Sequence, residues 1–115
     1  MLPRRIPKPA KRASRWRSQA HCNFVRSHEC VVPGCRARPI ELMHVRRGSG
    51  AGVGQKPDDW NTVSGCQGHH AEQHRIGEES FEDRYLIKLG ALAAEFAAAS
   101  PKATEIRRIK AEREQ

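Results

Sequence analysis

With 115 residues the chain has room for one domain plus tails. Hydrophobic residues make up 37%, which limits the core, and a domain this small often needs a metal or disulfide staple. No run reaches the roughly 18 apolar residues that argue for a membrane span, and the basic N-terminus leads into no apolar signal segment. A reducing cytoplasm is therefore expected, where cysteines read as metal ligands sooner than as disulfides.

Lys and Arg number 21 against 13 Asp and Glu, a net charge of +8. Residues 1–28 carry Arg4, Arg5, Lys8, Lys11, Arg12, Arg15, Arg17 and Arg26 and no acid; Glu29 is the first. A basic arm of this kind suits a polyanion, because each phosphate it neutralises releases counterions. The plainer reading is a solvated tail.

Residues 1–13, with three prolines and many charges, predict a disordered basic arm. Ser14 is the expected cap of a helix running to about Ser27, with Trp16, Ala20 and Phe24 on one face and His21 off it. Cys22 is expected to pack as a small apolar group, and His28 to lie at the surface. Residues 30–35 predict a turn on Pro33-Gly34, 39–46 a strand, 48–59 a glycine-rich loop and 60–65 a second strand. The loop fits neither G-x-G-x-x-G nor the P-loop pattern and reads as a flexible connection. A helix over 69–75 is stopped by Gly77. Another over 80–89 places Phe81, Tyr85 and Leu89 on one face and is broken by Gly90. Residues 91–115 are helical by propensity, with Ser100-Pro101 as cap and first-turn proline. They carry little apolar surface, so this helix is expected to fray or to depend on a partner. The division is thus a 1–13 arm, a 14–90 domain and a 91–115 C-terminal helix.

Cys30 and Cys35 are separated by four residues, and Cys66 and His69 by two. Two such pairs fit a tetrahedral structural Zn²⁺, tying front to back across about 30 residues. The alternative is a set of buried free thiols. His69 and His70 are adjacent, and His69 is the favoured fourth ligand. That leaves His70 and His74, one helical turn apart, about 5–6 Å between Cβ atoms. Such a pair can grip a divalent cation with positions left open, as catalytic metals require. His44 in the first strand is the candidate base, because an imidazole titrating near 6.5 is mostly neutral at pH 7. A lone strand histidine is otherwise structural.

The order FVRSHECVVPGC, MHVRRG, KPDDWNTV and C-x-x-HH-x-x-x-H-x-x-GEESF resembles the HNH (ββα-metal) endonucleases over roughly residues 20–85. The likeness extends to small phage-associated HNH proteins related in pattern to phage recombination-enhancement nucleases. The resemblance implies an α+β fold: a small zinc-stapled ββα-metal domain with flanking helices, encoded by a phage or prophage. By position, His44 matches the base, Asn61 the residue whose side chain braces the base's loop, and His70 and His74 the cation ligands. Cys30, Cys35, Cys66 and His69 match the structural zinc set, with His69 where many members have cysteine. Met43 departs from the pattern, because many relatives place an acidic or imidazole ligand there and a thioether is a poor ligand for hard cations. Three outcomes stand open: His70, His74 and substrate phosphate suffice, another group such as Glu41 or Asp59 reaches in, or activity is lost. Ser64-Gly65 also stands where relatives often carry Pro-Leu.

The implied activity is metal-dependent DNA hydrolysis with a catalytic Mn²⁺, Ni²⁺, Co²⁺, Zn²⁺ or Mg²⁺. Imidazole ligands favour the transition metals over Mg²⁺. Arg46, Arg47 and Lys56, with Arg4, Arg5, Lys8, Lys11 and Arg12 of the arm and Arg15 and Arg17 just after it, are the expected phosphate contacts. Two rivals stand beside it: a non-catalytic zinc module that binds nucleic acid, and a phage accessory protein docking a phage or host partner through its C-terminal helix.

Overall fold

A computed structural model describes residues 1–7, 15–50 and 56–114. Seven elements follow in order: α1 (Gln19–Arg26), β1 (Ile40–His44), β2 (Thr62–Cys66), α2 (Gln67–Ile76), α3 (Glu78–Tyr85), α4 (Leu89–Ala99) and α5 (Ala103–Arg113). The architecture is small α+β, a two-stranded sheet with helices packed around it. No helix among the described residues is long and apolar enough to cross a membrane.

The strands pair antiparallel, with Ile40 opposite Cys66 and His44 opposite Thr62. Met43 and Val63 face each other across the pair and are fully buried. They join Cys30, Val32, Val45, Cys66, Phe81, Leu89 and Ala93 in the main core. Gly65 belongs to the same fit: a Cβ there would lie 3.1 Å from the Met43 Sδ. The small residue at 65 and the long one at 43 are thus complementary in volume.

Helix α1 begins at Gln19 rather than just after Ser14, which lies outside the described residues. Ser18 is its cap, its Oγ accepting from the His21 backbone N–H at 3.2 Å. The chain before it cannot coil, because two carboxylates take its amides: Asp58 from Trp16 at 2.6 Å and Asp59 from Ser18 at 2.9 Å. The buried face is accordingly His21, Cys22 and Val25, in place of the expected Trp16, Ala20 and Phe24. His21 is fully buried, with its Nδ1 2.7 Å from the Ser100 Oγ. Cys22 is buried and His28 exposed, as expected of each.

The second half departs further from expectation. Helix α3 stops at Tyr85 because Leu86 turns left-handed, at φ 55° and ψ 46°. Leu89 therefore opens α4, and Gly90 lies inside that helix without breaking it, where a Cβ would meet open space. Glu82 caps α4 from the preceding helix, accepting from the Leu89 N–H at 2.7 Å. Ser100-Pro101 separates two helices, and Ser100 Oγ accepts from the Lys102 N–H at 3.0 Å. Leu89, Ala93 and Ala97, spaced by four, form the buried stripe of α4. Ala97 and Ile106 then join Trp16 and Trp60 in a second core cluster. A boundary at residue 90 thus cuts through α4, and the last two helices pack into the domain that the first half begins.

Candidate functional site

The turn at Pro33-Gly34 brings Cys35 back on Cys30: Gly34 has φ 79°, a region that favours glycine, and Cys35 N donates to Val32 O at 3.0 Å. Ser64 Oγ donates to Glu29 O at 2.6 Å and Val31 N to Ser64 O at 2.9 Å, which fastens this turn to β2. Cys66, the last residue of β2, is also the cap of α2, its Sγ accepting from the His69 N–H at 3.4 Å. Four ligand atoms, one each from Cys30, Cys35, Cys66 and His69, consequently lie within 4.8 Å of one another.

Around a tetrahedral zinc, with bonds of about 2.3 Å to sulfur and 2.0–2.1 Å to nitrogen, neighbouring sulfurs stand about 3.8 Å apart and sulfur–nitrogen pairs about 3.5 Å. The observed separations are 3.8 Å for Cys35 and Cys66, 3.5 Å for Cys30 and His69 Nδ1, and 3.2 Å for Cys66 and His69 Nδ1. All four cysteines, Cys22 included, are free thiols. Burial pushes the Cys30 thiol up to about 11, whereas the Ala37 backbone amide draws Cys35 below its ordinary value. The donor set can hold a metal ion such as zinc.

Helix α2 then runs back along β1. His70 Nδ1 lies 2.8 Å from Glu41 Oε1, and one turn on Gln73 Nε2 reaches the His44 carbonyl at 3.5 Å. A cleft of about 410 Å³ opens between helix and hairpin, lined by His44, His70 and His74 together with Arg46, Lys56 and Glu78. His70 and His74 point their Nε2 atoms at each other, 3.1 Å apart. Two nitrogens bound about 2.1 Å from one ion stand about 3.0 Å apart at a right angle and about 3.4 Å at the tetrahedral angle. Glu41 on the opposite nitrogen of His70 is the kind of partner that orients metal-binding imidazoles. Met43 lies in the core, away from this cleft.

His44 is half-buried, with its Nε2 shut off from solvent. Burial, and next the positive charge of Lys56, hold its pKa below the ordinary value; Asp59 pulls the other way. Neutral imidazole is the form favoured here. Asn61 meets the strand end after His44 through its main chain: its carbonyl accepts from Val45 N at 2.7 Å and its N–H donates to Asp58 O at 2.9 Å.

The expected phosphate contacts divide. Arg46 and Lys56 line the cleft. Arg47 pairs with Glu82 at 3.0 Å. Arg15 and Arg17 are engaged as braces, Arg15 with Asp58 and the Gly50 carbonyl, Arg17 with Asp59 and the carbonyls of Lys56 and Pro57. Arg4 and Arg5 are exposed, and Lys8, Lys11 and Arg12 lie outside the described residues. Part of the glycine-rich loop, residues 51–55, also falls outside them.

Asp58 has a larger part than sequence reasoning gave it. It accepts from Trp16 N and from Arg113 at 3.0 and 3.1 Å, while the Arg113 guanidinium sits 4.9 Å from the Trp60 ring centroid. The only signal in sequence was two adjacent acids downstream of an acid-free arm.

No curated protein and no solved structure matches the chain. A family model described as a protein of unknown function (DUF968) matches residues 5–101. That span takes in both the cysteine cluster and the histidine cleft, and over it the chain belongs to the DUF968 family.

Proposed function

We propose that this protein is a metal-dependent DNA endonuclease of the HNH type, with a structural zinc on Cys30, Cys35, Cys66 and His69. The observation that carries the reading is the single cleft shared by His44 from the hairpin and His70 and His74 from the helix. His70 and His74 would hold a divalent cation, and their 3.1 Å nitrogen separation fits one. When bound, that cation supplies neutralisation of charge on the phosphate in the transition state. Neutral His44 accepts a proton from water as the water oxygen bonds to phosphorus. The bond to the 3′ oxygen breaks, and that oxygen takes a proton from solvent. Arg46 and Lys56 hold the phosphate backbone without reading sequence.

The rival is a zinc module that binds nucleic acid without cutting it. One observation favours it: Met43, where many relatives carry a ligand, is buried in the core and leaves two imidazoles as the cation's protein ligands. Plasmid nicking by the wild type and His44→Ala, across Mn²⁺, Ni²⁺, Co²⁺, Zn²⁺ and Mg²⁺, separates the two. Metal-dependent nicking lost in His44→Ala supports the nuclease. Equal nicking by both proteins, or none by either, leaves the binding module.

A further inference from the structure

One ring nitrogen of His44 carries a second observation. The Nε2 is buried and has no hydrogen-bond partner among the described residues. An acid stands nearby, Asp59, with Oδ1 3.6 Å away. Asp59 is itself only 5% exposed and held on several sides. Its Oδ2 accepts from Ser18 N at 2.9 Å and from the Cys22 thiol at 3.4 Å. Its N–H donates to Trp16 O at 3.0 Å, its carbonyl accepts from Thr62 Oγ1 at 2.7 Å, and Arg17 approaches Oδ1 at 3.5 Å. A carboxylate gripped this way has little freedom to swing into the cleft as a cation ligand.

We propose that Asp59 is a positioning residue for His44, fixing the proton on Nε2 so that the Nδ1 lone pair is the one offered for proton abstraction. An ionised carboxylate can only accept, so the buried nitrogen beside it must be the donor. The gap of 3.6 Å needs to close by only a few tenths of an ångström to reach hydrogen-bond length, and such bonds often tighten only when substrate binds. Burial first, then the positive charges of Lys56 and Arg17, favour the neutral ring over imidazolium, against the opposing pull of Asp59. The logic is that of a buried carboxylate orienting a general-base imidazole, where the carboxylate selects the tautomer and does not itself take the proton.

The inference about catalysis rests on the nuclease reading, but the tautomer does not depend on cutting. The test is the ring ¹⁵N shifts of His44, read by two-bond ¹H–¹⁵N correlation on the full-length zinc-loaded protein at pH 7.5. The Nε2–H form is expected in the wild type; an Nδ1–H form there overturns the proposal without any variant. In Asp59→Asn the side-chain oxygen can keep accepting from Ser18, leaving the NH₂ toward His44, which should move the ring proton to Nδ1. Nicking kcat should then fall by about 10²–10⁴-fold with KM nearly unchanged. A variant that keeps the wild-type tautomer or the wild-type kcat overturns the proposal. A tautomer switch in a protein that cuts nothing supports the orienting contact and sinks the nuclease reading instead.

Discussion

If the cysteine cluster holds a zinc, as proposed, removing it tests the fold most directly. Stripped with a strong chelator, or blocked by Cys35→Ser, the protein loses a link between the turn at 30–35 and the β2–α2 junction. The closed loop between Cys35 and Cys66 spans about 30 residues, so a cross-link there removes about 3.5–4 kcal/mol of unfolded-chain entropy in the loop-closure model. That is a lower bound, because structural zinc in small peptides contributes about 10 kcal/mol or more. Against a typical total of about 5–15 kcal/mol, even the lower bound should drop the melting temperature by about 15–25 °C. Melting followed by far-UV circular dichroism, with zinc content measured on the same samples, reads the effect. A protein carrying one zinc whose melting point shifts by less than about 5 °C on chelation would refute the staple argument. So would one that binds no zinc.

Three further outcomes are expected. With its pKa held below 6.5 by burial and Lys56, His44 stays neutral through pH 7; the nicking rate should therefore be flat from about pH 7 upward and fall only on acidification below about 6.5. A rise centred above pH 7 would contradict that. Glu41→Gln should weaken Mn²⁺ or Ni²⁺ binding at the histidine pair by about 10–100-fold while zinc at the cysteines stays put, as competition with a metal-sensitive dye would show. Ile106→Ala should cost about 2–4 kcal/mol in urea unfolding, since Ile106 is 2% exposed against Trp16 and Trp60; a loss below about 0.5 kcal/mol would mean that α5 is only loosely attached.

Sequence spacing served best where local geometry decides the outcome. Two-residue and four-residue gaps between ligands put Cys30, Cys35, Cys66 and His69 within one ion's reach, and the four-residue gap from His70 to His74 is one helical turn. The expected strands at 39–46 and 60–65 fall within two residues of the observed ends. Failure came where a distant side chain overrode propensity. Nothing before Gln19 announces that Asp58 and Asp59 will take the amides of Trp16 and Ser18 and hold the chain extended. Leu86 in a left-handed conformation is an uncommon way to end α3, and the regular apolar spacing through Leu89 hid it. The alanines of α4 looked too small to anchor anything, yet small residues allow α4 to lie close against β2, where Ala93 is 3% exposed.

The two halves of the site are mechanically one. Successive residues on a helix point about 100° apart, so His69 turns inward to the cysteines while His70 turns to the cleft, with His74 one turn beyond. The cysteine cluster anchors the first turn of α2 through Cys66 and His69, and the hairpin register sets His44 opposite Thr62, four pairs from Cys66. From residue 69 to residue 74 the helix advances about 7.5 Å. A tilt of 10° about the anchor would therefore displace the His74 ring by about 1.3 Å, the scale on which misplaced catalytic groups cost about a hundredfold in rate. A zinc at the cysteines would thus set the aim of the histidine pair as well as the stability of the fold. On this geometry, damage to the cluster should slow cutting by about a hundredfold at temperatures where circular dichroism shows the chain still folded.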